Sequence, residues 1–491
     1  MTPAETWDLA LRNLREGNPA QTVQLCEQLI AFAPDRPEFW HLAGLAAFAL
    51  DRFEDAVVRF ARAATLDPGN AGHVVNLANA CLKAGHDDQA RRAFDAALTL
   101  DPESPEIQIG LGTLARRAGD LDAAVAHADR ALARAPQSYQ AWVNRGRALH
   151  EAGRFAEAAA SYDRAIAVNP SAPEAHAAKS LTLLLTGDFA AGWRAYGSRG
   201  EGGDLARRAR FAAPEWAGED CRGETLLVHA EQGFGDTIQF ARFVPMLAGR
   251  CAKIVFAVQP ALKRLFDGFA PGVDVIAHGD TLPPYDRHVR LMSLPEIFGT
   301  RADTIPPPVS FGPQPVPFSL HLPRDGRLNV GLVWAGNPAH ENDRNRSIDP
   351  KLLAPLSRVG GVRLVSLQKG SGGLAMAKPD FPVVDAASFL GDFADLAAVL
   401  SGLDLLIGVD TAPVHLMGTL GRPVWVLLPD PPDWRWLLDR ADSPWYPSAR
   451  LFRQEKRGDW ASVVVRAAEH LAAVSRPSSP FSPTPLPGAL H

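Results

Sequence analysis

The sequence predicts an α-solenoid followed by a two-lobed α/β domain, and three observations predict it. Prolines recur at Pro34, Pro68, Pro102, Pro136 and Pro170, each 34 residues after the last, and a fixed period of that size marks stacked helical repeats. Past Gly200 the period stops, and short apolar runs alternate with helical stretches, the pattern of doubly wound parallel sheets. Polar and glycine-rich motifs then fall directly after the predicted strands, where open parallel sheets bind their ligands. A chain of 491 residues has room for about three folding units.

Composition narrows the function classes. There are 50 basic and 55 acidic residues, a balance unlike that of a nucleic-acid-binding protein, so no nucleic-acid partner is expected. Lysine is scarce and arginine common, which favours planar, bidentate contacts with oxyanions. Cys26, Cys81, Cys221 and Cys251 are scattered and form no C-x-x-C pair; neither a zinc site nor a disulfide framework is indicated, and a reducing cytoplasm fits. The opening stretch MTPAETWDLALRNLREG lacks a basic and then apolar leader, and no segment reaches the ~20 apolar residues of a membrane span. A cytoplasmic protein with no membrane span is expected.

In the first half, small residues lie in phase with the prolines: Gly44, Ala56 and Ala63; Ala78, Ala90 and Ala97; Gly112, Ala124 and Ala131; Gly146, Ala158 and Ala165. Large residues fill the complementary places: Trp40, Phe60, Leu77, Phe94, Leu111, Trp142 and Tyr162. Each unit reads as two short helices, the second stopped by a proline in LDPGN, LDPES, APQSY or VNPSA. This register resembles the tetratricopeptide-repeat family. A looser first unit and a sixth that fades at GDFAAGWRAYGSR place the solenoid at residues 1–197. Such arrays bind extended peptides or partner proteins, so a protein acceptor or partner is expected on the repeat groove; stabilising or dimerising the neighbouring domain is the alternative. The aromatics sit at core phases and read as packing residues.

Residues 198–222 read as a polar connector. Strands are predicted at 225–230, 253–258, 273–277, 329–335, 363–368, 404–409 and 423–428. A proline-rich linker, 304–326, divides a first α/β lobe (223–303) from a second (327–475), and a tail, 476–491, has too little apolar content to fold. EQGFGD, WAGNPAHENDRNRS, LQKG, GVDTAPVH and LLPDPPDW each follow a strand and should converge on one crevice.

GFGDTIQFARFVPML, VGLVWAGNPAHENDRNRSI and DLLIGVDTAPVHLMGTLGRPVWVLLP resemble the motifs of the heptosyltransferase-like glycosyltransferases, family 9, over most of residues 223–475. The resemblance implies a GT-B fold of two Rossmann-like lobes and an inverting transferase using a nucleotide sugar. The fusion to repeats is similar to protein and flagellin glycosyltransferases of bacteria. Two departures bear on donor and acceptor: the first lobe is short, and Arg-Asn-Arg stands where the family carries a lysine-containing phosphate loop.

Glycosyl transfer needs a base for the acceptor hydroxyl and positive potential for the departing phosphate. Gly233 and Gly235 allow a tight turn into a helix, and Asp236 at its start matches the family's catalytic aspartate; as spacing alone has it, Asp236 is equally an N-cap. The amides of Thr411 and Ala412 with the Thr411 hydroxyl suit a diphosphate at a helix N-terminus. Asp410 caps that helix or contacts sugar or ribose, and His415 touches donor or leaving group or is structural. Arg344 and Arg346, with Ser347, form a guanidinium clamp or a solvated loop. Lys369 sits at a strand end, Gln368 reads base or pyrophosphate, and Asn337 and His340 line the crevice, while Trp334 lines it or belongs to the core. No D-x-D motif follows a strand, so no metal and no cofactor beyond the nucleotide-sugar substrate is expected. The expected function is sugar transfer to a protein acceptor recruited by the repeats. The alternatives are a lipopolysaccharide or other glycan acceptor, and a non-catalytic repeat scaffold with a degenerate transferase domain.

Overall fold

The computed structural model describes residues 1–198, 211, 213–312, 322–340, 342–370 and 372–475; the expected tail and parts of the expected connector and interlobe linker lie outside the described residues. The chain forms two compact units, Met1–Ala175 and His176–His491.

The first unit is built from antiparallel helix pairs: α1 (Pro3–Arg15), α2 (Pro19–Phe32), α3 (Pro37–Ala49), α4 (Phe53–Leu66), α5 (Ala71–Ala84), α6 (Asp87–Leu100), α7 (Pro105–Ala118), α8 (Leu121–Arg134), α9 (Tyr139–Glu151) and α10 (Phe155–Val168). Proline opens α1, α2, α3 and α7, where its fixed φ fits the first turn and its missing N–H costs nothing. The in-phase glycines are close-approach points: a Cβ on Gly44 would lie 2.7 Å from the Phe60 ring, and one on Gly146 would lie 2.4 Å from that of Tyr162. Gly112 instead faces His127 and the backbone of Ala124. Phe60, Phe94 and Tyr162 are fully buried, as their core phases imply. Trp40 and Trp142 are only half-buried; each indole donates a 2.9 Å hydrogen bond to a repeat proline, Pro34 or Pro136. In these two units the tryptophan thus ties the start of a repeat to the turn before it. Leu45, Phe48, Phe60, Asn76, Asn79, Leu82 and Lys83, from α3, α4 and α5, line a cavity of about 280 Å³.

The pattern-based solenoid boundary at residue 197 differs from the division at Ala175. Helix α11 (Pro173–Leu185) straddles the division, and α12 (Phe189–Gly197) packs within the second unit. Trp193 of α12 is buried, donates from its indole to the Thr300 carbonyl at 3.1 Å and sits edge-on to Trp434 and Phe240. Apolar burial overrides the repeat's own register here.

Two parallel sheets make the rest of the second unit. Strands β1 (Cys221–His229), β2 (Cys251–Val258), β3 (Val273–Ala277) and β4 (Arg287–Arg290) are ordered β3-β2-β1-β4. Strands β5 (Leu328–Val333), β6 (Val362–Ser366), β7 (Val384–Asp385), β8 (Leu405–Val409), β9 (Val424–Leu428) and β10 (Ala449–Arg453) are ordered β10-β9-β8-β5-β6-β7. All seven expected strands are present; β4, β7 and β10 are short or polar and escaped the pattern. Central strands β8 and β9 are buried throughout, as both-face coverage of a parallel sheet requires. The second sheet runs β5 to β7 in one direction and β8 to β10 in the other, so its switch point lies between the carboxyl ends of β5 and β8. That is where the physics of such sheets puts a crevice.

The expectation of no disulfide is corrected. Cys221 and Cys251 begin adjacent strands, are register partners with Cα atoms 4.5 Å apart, and are bonded. Their 30-residue separation carries no pairing signal; the register of β1 on β2 brings them together. Cys26 and Cys81 are buried free thiols.

Candidate functional site

A cleft of about 860 Å³ in the second unit is lined by loops that follow β1, β5, β6, β8 and β9. Its size falls within the range of small-molecule sites. Gly233 caps the helix Phe234–Phe240, and its amide donates to Asp236 Oδ2 at 2.9 Å. Asp236 is therefore not the N-cap itself but stands at the third helical position, where its carboxylate reaches back to the Gly233 amide and lines the cleft. Gly235 is where this helix meets the helix Ala412–Thr419: a Cβ there would lie 2.7 Å from His415 Cδ2. Only a residue without a side chain lets the two helix mouths share the cleft.

The residue that joins the motifs was not foreseen. Arg435 is buried; it pairs with Asp236 Oδ1 through Nη2, with Asp433 at 2.9 Å through Nη1, and with Gln239 at 2.7 Å through Nε. Its guanidinium lies 4.4 Å from the centroid of the Trp434 ring. Burial works against its charge, but the carboxylates of Asp433, Asp236 and Asp410 hold its pKa above the ordinary arginine value. The loop LLPDPPDW was singled out in the sequence, yet nothing local marks the next residue as the partner of an aspartate 199 positions earlier.

At the switch point, Asp410 is buried, and its Oδ1 lies 3.2 Å from His415 Nε2. Burial would raise its pKa; the hydrogen bond from His415, with Arg435 and Arg346 as positive neighbours, outweighs this and keeps the carboxyl below the usual carboxylate range. The folded-state pKa is depressed, so the associated stability is present above about pH 4, the unfolded value, and is lost as pH falls below it. Replacing Asp410 with Asn should flatten the acid limb of a melting-temperature profile between roughly pH 4 and pH 2; an unchanged acid limb would count against this carboxylate as its source.

The anion cradle is leaner than the motif suggested. Thr411 Oγ1 is buried and donates to the Val409 carbonyl at 3.0 Å, and Pro413 removes one first-turn amide. Backbone N–H groups at Thr411 and Ala412 remain as the donors at the helix mouth. Arg346 lines the cleft, anchored to Asp343 at 3.3 Å and to the Asp410 carbonyl at 3.1 Å, beside Gly336, which leaves room for it. The arginine pair is not a pair in space: Arg344 is exposed and outside the cleft lining. Ser347 is likewise outside the lining; it is buried and accepts the Gly336 amide at 3.1 Å, a loop brace. Gln368 lines the cleft with its side-chain groups engaged by backbone. Its oxygen accepts the Trp334 and Ala335 amides at 2.9 Å each, and its nitrogen donates to the Ala335 and Lys369 carbonyls. Lys369 borders the cleft with its ammonium on the Leu390 carbonyl. Asn337 and His340 also border it, each accepting a backbone amide of its own loop. Trp334 is core.

Contacts from the first sheet's side to the second close the cleft's far wall. Arg264 donates to Asp392 at 2.7 Å and pairs with Asp395, and the Phe234 and Phe393 rings lie 4.9 Å apart. Among the described residues, no cluster of three or more His, Cys, Asp or Glu side chains could hold a metal ion, and no helix is long and apolar enough to cross a membrane.

The first class that sequence and fold define is the tetratricopeptide repeat, whose family matches residues 75–139, 109–173 and 143–204. The N-terminal part of the chain thus carries these repeats. Among particular relatives, the chain is 30% identical to Protein FlbA of Caulobacter vibrioides over 312 residues, 57% of this chain and 52% of that protein. The chain spans about half the length of that curated relative. Among solved structures, a thermophilic repeat protein of Thermus thermophilus matches with a TM-score of 0.34 and 19% identity over 38% of this chain and all of its own. MamA from Desulfovibrio magneticus matches with a TM-score of 0.32 and 17% identity, over 34% of this chain and 96% of that one.

Proposed function

We propose that the protein is a GT-B-type, inverting glycosyltransferase that moves a sugar from a nucleotide-sugar donor to a protein acceptor of flagellin type held by the repeats. One observation carries the reading: Asp236, from the loop after β1, and the helix mouth at Thr411 and Ala412, from the loop after β8, line the same cleft with Arg346 and Lys369. Asp236 would take the proton of the acceptor hydroxyl as its oxygen bonds to the anomeric carbon. The bond from that carbon to the donor phosphate breaks, and the electron pair leaves with the nucleotide diphosphate. Backbone amides, Arg346 and Lys369 then offset the charge that develops on the leaving group. The Arg435 pairing orients Asp236 and leaves lone pairs on both its oxygens for an incoming hydroxyl.

The test begins with the full chain and calorimetry against UDP, ADP, GDP and CMP and their sugars. Binding of one nucleotide class is expected; no binding to any of them would sink the transferase reading. A second step separates acceptors. Replacing Asn79 and Lys83 in the cavity of the first unit should lower transfer to a protein acceptor and spare donor hydrolysis. Equal transfer by this variant would show that this cavity does not hold the acceptor.

A further inference from the structure

The ring of His415 borders the cleft and is held at one face and three edge atoms. It stacks on Trp436 with centroids 5.6 Å apart, its Cδ2 edge abuts Gly235, its Nε2 lies 3.2 Å from Asp410 Oδ1, and its Nδ1 lies 3.0 Å from Tyr446 Oη. A neutral imidazole has one N–H and one lone pair. The buried Asp410 carboxylate can only accept, so the proton must sit on Nε2, and Nδ1 is left to accept the phenol proton of Tyr446. Tyr446 is itself fully buried, seated against Gly418, where a Cβ would come within 2.6 Å of its ring, and the Arg242 guanidinium lies 5.2 Å from its ring centroid. Both imidazole nitrogens are thus committed inside the protein. Asp410 Oδ2, by contrast, has no hydrogen bond from any described residue, and Asp410 lines the cleft.

We propose that Tyr446 is a positioning residue: its hydroxyl holds His415 in the Nε2–H form, and that N–H fixes the Asp410 carboxylate with its second oxygen presented to a hydroxyl of the donor. This inference rests on the transferase reading and deepens it. His415 becomes a link between a buried phenol and a cleft carboxylate and no longer a group that meets the leaving group. Tyr446 lies 31 residues from His415 in the sequence, beyond β9, and no motif includes it.

The experiment is a double-mutant cycle on the full chain, reading affinity for the nucleotide or nucleotide sugar that the UDP, ADP, GDP and CMP panel identifies. Tyr446→Phe should weaken binding about tenfold, the scale of one hydrogen bond to a charged group, and should add nothing in the Asp410→Asn background, because the phenol acts through Asp410. Equal losses in both backgrounds, or no loss in either, would overturn the positioning role while leaving the transferase reading intact. A wild-type chain that binds no nucleotide would end both. A measurement on the unaltered protein covers the case in which Tyr446→Phe does not fold. In nitrogen NMR at neutral pH, with the His415 signals assigned by their absence in His415→Gln, the proton is expected on Nε2, and a proton on Nδ1 would contradict the relay.

Discussion

Asp236→Asn is expected to lower sugar transfer by roughly 10²–10⁴-fold, the usual contribution of a positioned general base, with the donor's affinity unchanged. The asymmetry follows from where the residue sits. Asp236 belongs to the loop after β1, whereas the proposed phosphate donors belong to loops after β5, β6 and β8. Asparagine keeps the size and one acceptor, so it can hold the Gly233 amide or Arg435 but not both, and an amide oxygen has almost no basicity with which to take a proton. Steady-state kinetics with the identified donor check the result, and calorimetry on the same variant checks the binding. Transfer at the wild-type rate would remove Asp236 as the base and leave it a brace on the Gly233 amide. A loss of donor affinity together with turnover would instead mean that the two helix mouths had separated.

Arg435→Met is expected to cost about 3–5 kcal/mol of stability, the cost of removing one member of a buried ion pair. The mechanism is unmasking: Asp236 and Asp433 lose their direct partner, and buried Asp410 loses a nearby positive charge. Arg435→Lys should recover only part of this, since a single ammonium cannot reproduce a fork that engages Asp236, Asp433 and Gln239 together. Pairing Arg435→Met with Asp433→Asn should return part of the loss, because one unpaired carboxylate is then neutralised. Thermal unfolding followed by tryptophan fluorescence reads all three variants. A melting temperature unchanged in Arg435→Met would show that the pairing contributes nothing to the fold.

The repeats were legible because their chemistry is local and periodic. A proline that ends a helix recurs every 34 residues, and the place held by Gly44 and Gly146, which receive Phe60 and Tyr162, is held by the small residues Ala78 and Gly112 in the units between, so each period repeats the evidence. The parallel strands were legible for a related reason: strands covered on both faces, such as LLIGV and VWVLL, must be apolar at every position. The partly polar strand β4 and the two-residue β7 carry no such mark. Among the candidate site residues, those whose role is borne by the backbone or by position in a loop lie at the cleft: Gly233, Gly235, Thr411 and Ala412. Side chains chosen by charge or polarity alone fared unevenly. Arg346 reaches the cleft and Arg344, two residues away, does not, because a one-turn helix sends the two in different directions. Gln368 lies in the right loop, but unpaired strand-end amides capture its side chain first.

From the order of residues alone follow the helical array, the two successive α/β segments and the placement of polar loops after strands, since each depends on neighbours within a few dozen positions. Three-dimensional packing was needed for everything that joins remote segments: the Cys221–Cys251 bond, the move of α12 into the second unit, the Arg435 bridge to Asp236 and the Tyr446–His415–Asp410 chain. These arise where burial removes water from charged or polar groups and each must find a partner in whatever segment folding brings near. Sequence distance does not record that neighbour.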